Sequence, residues 1–83
     1  MERITQQKIE EICLETIAKE IGFDKKEISL DMNLKDDLEI VSLDAMNIIM
    51  SLEETFEFEA DIETVLEMHK ISDMVNYIHE KTK

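Results

Sequence analysis

The chain has 83 residues, enough for one domain with a thin core, and its 43% hydrophobic content at helical spacing excludes disorder despite 36% charged residues. A net charge of −12 excludes nucleic acid and anionic membrane surfaces as natural partners, because phosphates need Lys and Arg to displace counterions, and it favours basic protein surfaces. One cysteine excludes an internal disulfide, and the absence of a long apolar run argues against a signal peptide or membrane span, so a cytoplasmic protein without stable membrane insertion is expected.

With no proline and one glycine, little interrupts helix formation, and an all-α fold is expected. The spacing of Ile9, Ile12, Cys13, Thr16 and Ile17 predicts a first helix over about residues 3–20, closed by Gly22, with Phe23 packing back over its end. Cys13 lies in the apolar stripe and is read as a core residue, not a nucleophile. Asp24 to Glu27 has capping-box spacing and predicts a single turn. A linker follows, roughly Ser29–Val41, in which Ile28, Leu30, Met32, Leu34 and Leu38 are placed to anchor an ordered loop.

Ser42 stands before a second helix, about Ser42–Glu57, and is expected to cap it, since a serine oxygen accepts from the free amides of a first turn. Such a helix end also suits a phosphate. This helix is apolar on more than one face. Met46, Ile49 and Leu52 are assigned to the core, and Leu43 and Met50 to an outside partner. Phe58 to Asp61 predicts a turn, with Asp61 capping a short third helix through about Met68 that turns Val65 and Met68 inward. Ile71, Met74, Val75 and Ile78 predict a last helix over about Ile71–Lys81, with Ser72-Asp73 as an alternative start.

No catalytic or metal constellation emerges. Neither His69 nor His79 has a His or Cys neighbour at helical spacing, and Ser42 has no nearby base. The Asp31 loop lacks the glycine and glutamate of a calcium loop, having Asp36 and Ser42 at those positions. The charge is uneven. Asp36, Asp37, Glu39, Asp44, Glu53, Glu54, Glu57, Glu59, Asp61, Glu63 and Glu67 lie between Lys35 and Lys70 with no Lys or Arg among them.

Leu38, Ser42-Leu43-Asp44 and Ser51-Leu52-Glu53-Glu54-Thr55-Phe56-Glu57 resemble the Asp-Leu-Gly-x-Asp-Ser-Leu-Asp … Leu-Glu-Glu-x-Phe pattern of acyl carrier proteins. The similarity runs on through Ile71 to Tyr77-Ile78. It implies a single domain over 1–83, a four-helix bundle with a long ordered loop between helices 1 and 2 and a short third helix. It further implies a carrier, not an enzyme: a phosphopantetheinyl transferase places phosphopantetheine from coenzyme A on Ser42, and acyl-loading and acyl-processing enzymes of fatty-acid or related biosynthesis use it. Leu43, Asp44, Met50, Glu53, Glu54 and Glu57 are the implied docking residues for basic patches. Phe56, Ala60, Val65 and Met68 are the implied lining of an acyl pocket.

The chain departs from the family pattern at Glu39, where the family has glycine, and at Val41, where it has the aspartate before the serine. Asn47 also stands where an acid is frequent. These departures suggest a specialised carrier, with the Ile40-Val41 pair presented to the transferase. Like charge argues for a monomer. The competing readings are an unmodified acidic adaptor that keeps the fold and a carrier for aminoacyl or polyketide units.

Overall fold

The computed structural model describes residues 5–82, and its regular structure is four α-helices: α1 Gln6–Ile21, α2 Ser42–Phe56, α3 Ile62–Leu66 and α4 Ile71–Lys81. The all-α class and the order of elements agree with the sequence reading. Thr5 caps α1, its Oγ1 accepting from the Lys8 amide at 3.2 Å; the expected start at residue 3 lies outside the described residues. Gly22 ends the helix at φ 77°, a left-handed conformation that glycine adopts without a Cβ clash.

Phe23 does not pack back over this end. It is 42% exposed, and the chain runs directly on into a 3₁₀ turn, Lys25–Glu27, none of whose residues is buried to draw the ring inward. The turn itself is the expected capping box. Asp24 Oδ1 accepts from the Lys26 amide, and Glu27 Oε1 accepts from the Asp24 amide.

α1 packs against α2 and α4, and the shared core is built from Ile9, Cys13 and Ile17 of α1, Ile48, Ile49 and Leu52 of α2, and Ile71, Met74, Val75 and Ile78 of α4. Burial pushes the Cys13 thiol up to about 12, with a smaller contribution from Glu10, so it stays a neutral packing group. α3 contributes Val65, and Met68 is buried just beyond it. Asp61 caps α3, accepting from the Glu63 amide at 3.1 Å.

The loop between α1 and α2 is ordered by two means. Ile28, Leu34 and Leu38 are buried, with Leu30 and Met32 half-buried, as the apolar spacing suggests. Backbone bonds then strap it to the start of α4: the Leu34 amide to His69 O at 2.7 Å, Ile71 to Met32 O at 3.2 Å and Ser72 to Leu30 O at 3.0 Å. Within the loop, Asn33 Oδ1 accepts from the amides of Lys35 and Asp36, and Asp37 Oδ2 accepts from the Asn33 amide at 2.7 Å. Side chains thus supply the bonds that a helix would otherwise supply.

Two assignments in this region are corrected. Ile40 is buried, so it anchors the loop and only Val41 of the pair faces outward. Met46 is exposed and Ile48 takes its place in the core. At roughly 100° per residue, the buried face of α2 centres on Ala45, Ile49, Leu52 and Phe56, with Ile48 at its edge and Met46 turned well to the side.

Candidate functional site

Ser42 is the first residue of α2, and the residue in the capping position is Val41, whose side chain can accept nothing. The expectation that Ser42 caps the helix is therefore corrected by one position. The physical reason is that Val41 already has extended backbone, φ −91° and ψ 170°, while its carbonyl accepts the first helical bond from the Ala45 amide at 2.9 Å. The consequence is chemical. The Ser42 side chain is exposed, makes no hydrogen bond with another described residue, and stands beside amides that no side chain caps. An exposed primary hydroxyl at the positive end of a helix suits a phosphodiester.

Beside Ser42 a cavity of about 130 Å³ opens between the loop, α2, α3 and α4. Lys35, Val41 and Ser42 form its exposed rim, whereas Leu34, Ile40, Ile48, Val65, Met68 and Met74 are buried walls. Val65 and Met68 of the expected pocket thus line it. Phe56 and Ala60 do not: Phe56 belongs to the core and Ala60 to the turn before α3. The remaining lining residues, Met74 above all, lie on stripes that look like ordinary core. Nothing local in the sequence separates a wall from a filler.

The residues expected to dock partners divide by helix face. Leu43 and Met50, seven positions apart, share the face opposite the core and are 67% and 56% exposed; Glu54 lies on the same face. Asp44 and Glu53 are half-buried on the flanks. Glu53 has a structural task, with Oε2 accepting from the Ala60 amide at 2.8 Å across the turn to α3. Glu57 sits past the helix end at φ 53°. Asn47 is exposed and reaches Glu20 Oε2 at 3.5 Å.

The family's missing glycine acquires a physical explanation. Glu39 has φ 52°, so its position requires the left-handed conformation, and glutamate adopts it only at a cost. Nothing at the site amounts to an acid–base pair. Among the described residues there is no group of three or more His, Cys, Asp or Glu that could hold a metal, and no helix is long and apolar enough to cross a membrane. The exposed hydroxyl, the uncapped first turn and the adjoining cavity fit a covalent phosphate-linked arm better than they fit catalysis.

Comparison with known proteins agrees. A family model described as a phosphopantetheine attachment site matches residues 13–78. The chain is 38% identical over 74 residues to the acyl carrier protein of Phytoplasma mali, covering 89% of this chain and 83% of the relative. It is 39% identical over 67 residues to the acyl carrier protein of Clostridium acetobutylicum, covering 81% and 87% respectively. Among solved structures it is similar to the apo doublet acyl carrier protein from prodigiosin biosynthesis, with TM-score 0.78 and 24% identity. That match covers 90% of this chain and 36% of the doublet, and it bears on the fold alone.

Proposed function

This chain belongs to the acyl carrier protein family, and from that premise we propose that Ser42 is the residue that bears the phosphopantetheine of this carrier. The family makes it a carrier and not an enzyme, served by a phosphopantetheinyl transferase and by biosynthetic enzymes. When attached, the arm supplies a terminal thiol on which acyl groups travel as thioesters. The protein's own residues have three tasks. Ser42 offers the hydroxyl, the first turn of α2 offers amides to the phosphate, and the apolar cavity offers shelter from water. The observation that carries the assignment is the free, exposed Ser42 hydroxyl on the rim of that cavity.

The reading extends to one carrier domain over residues 1–83, acting as a cytoplasmic monomer. Its docking face would be the outward side of α2, where Leu43, Met50 and Glu54 meet a basic, partly apolar partner surface. The single cysteine, needing no oxidising compartment, and the net charge of −12 support this. Val41, 59% exposed beside Ser42, supports a specialised member, since an isopropyl group stands where the resemblance implies a carboxylate for the transferase to meet.

The test is incubation with coenzyme A, magnesium and a broad-specificity transferase, following intact mass for wild type, Ser42→Ala and Val41→Asp. A phosphopantetheine-sized gain absent from S42A and faster in V41D is expected. A gain that persists in S42A would remove the assignment, and equal rates for wild type and V41D would remove the specialisation.

A further inference from the structure

We propose that Lys35 is the counter-charge for the phosphodiester at Ser42, holding the root of the arm at the mouth of the cavity. The inference rests on the attachment reading and adds a binding residue to it. Lys35 shares the rim of the cavity with Val41 and Ser42. The loop brings it there. Its amide donates to Asn33 Oδ1 at 2.9 Å, its carbonyl accepts from the Glu39 amide at 3.1 Å, and the Ile40 amide donates to Leu34 O at 2.9 Å. These bonds fold residue 35 back beside the strand of chain that enters α2.

The charge pattern gives this position its meaning. Lys35 is the one Lys or Arg between Lys26 and Lys70, in a segment rich in Asp and Glu. It nevertheless forms no ion pair or side-chain hydrogen bond with another described residue, and its side chain is exposed. Asp37, the neighbour two positions on, uses Oδ2 on the Asn33 amide. A phosphodiester at Ser42 would also enter the field of Asp36, Glu39 and Asp44, so a single cation on the rim offsets a local excess of negative charge. Lysine suits the task, being a point charge on a flexible stem that can follow a mobile phosphate without demanding fixed geometry.

The test follows the phosphorus NMR signal of the arm in wild type and Lys35→Met as salt is raised, with intact mass and fragmentation confirming the arm on Ser42. Salt screens an exposed ion pair, so the wild-type phosphorus signal should move as salt is raised. In Lys35→Met, which keeps the stem and loses the charge, the phosphorus signal of the arm should lose part of its dependence on salt. A phosphorus signal with the same salt dependence in wild type and K35M would overturn the proposal while leaving Ser42 in place. An arm absent from Ser42 would overturn the attachment reading and this inference together, and the mass spectrum distinguishes the two failures.

Discussion

α2 and α4 both pack against α1 and are built by opposite rules. α4 follows the rules of a stable helix. Asp73 Oδ2 accepts from the Lys70 amide at 3.0 Å and the His69 amide at 3.2 Å, an acid at the positive end, while His79 and Lys81 stand in the last turn. α2 has no side-chain cap, no base in its last turn, Glu53 and Glu54 near its negative end, and a non-glycine residue, Glu57, in the left-handed conformation just beyond. It also exposes Leu43, Met46 and Met50. Each feature of α2 costs stability, and each falls at an end or on the outer face, where an arm or a partner would come. Its middle, with Ile48, Ile49 and Leu52 buried, is as well packed as α4. The contrast is therefore between surfaces with different tasks, within a common core.

The largest expected effect lies in that core. Ile78→Ala in α4 removes a fully buried side chain and should cost about 2–5 kcal/mol in denaturant unfolding. If it cost no more than an outer-face change in α2, the division would fail. Next is the start of α4. Asp73→Asn removes a charged acceptor for two amides and should cost about 1 kcal/mol at neutral pH.

The Lys70 amide holds the Asp73 carboxyl below its ordinary 3.8 against an opposing rise from burial, with smaller help from the His69 amide and the charges of His69 and Lys70. A depressed carboxyl binds fewer protons folded than unfolded between its two values. Its stabilisation is thus complete above pH 3.8 and is lost as the pH falls through the folded value. The stability gap between wild type and D73N should close in that window, and a gap that stayed constant into acid would contradict the assignment.

The change of opposite sign belongs to the loop before α2. Glu39→Gly should stabilise by about 0.5–1 kcal/mol, because glycine accepts φ 52° without the Cβ penalty. A loss of stability there would mean that the glutamate side chain supplies more than its backbone costs. Smallest in stability is Met50→Ala, expected within about 0.5 kcal/mol of wild type because the side chain is largely exposed. Its effect should appear instead as a lower kcat/KM with the partner enzymes. An unchanged kcat/KM would take Met50 out of the docking face.

How much of this was legible in the sequence depended on the kind of bond involved. The apolar stripes of α1 and α4 and the caps at Asp24 and Asp61 follow from local spacing, and they stand where the spacing puts them. The loop was only half legible. Leu34 and Leu38 are visible as anchors, but the strap from Leu30, Met32 and Leu34 to residues 69–72 joins backbone to backbone and leaves no side-chain signature. Around Ser42 the pattern of residues singled out a hydroxyl that the fold leaves exposed, while misplacing the cap. Whether the helix begins on Val41 or Ser42 is set by backbone angles, and Ile40, placed beside the serine by sequence, is drawn inward by the cavity wall. The roles of Glu39 and Lys35 needed the fold of the loop, since a positive φ and a shared rim are properties of the chain's path.

The most direct measurement is the intact mass and fragmentation spectrum of the protein purified from its own cells. A phosphopantetheine-sized addition localised to Ser42 is predicted. A chain whose Ser42 is bare throughout, under conditions where its biosynthetic partners are present, would contradict the assignment of Ser42 and return the outer face of α2 to a simpler role in binding.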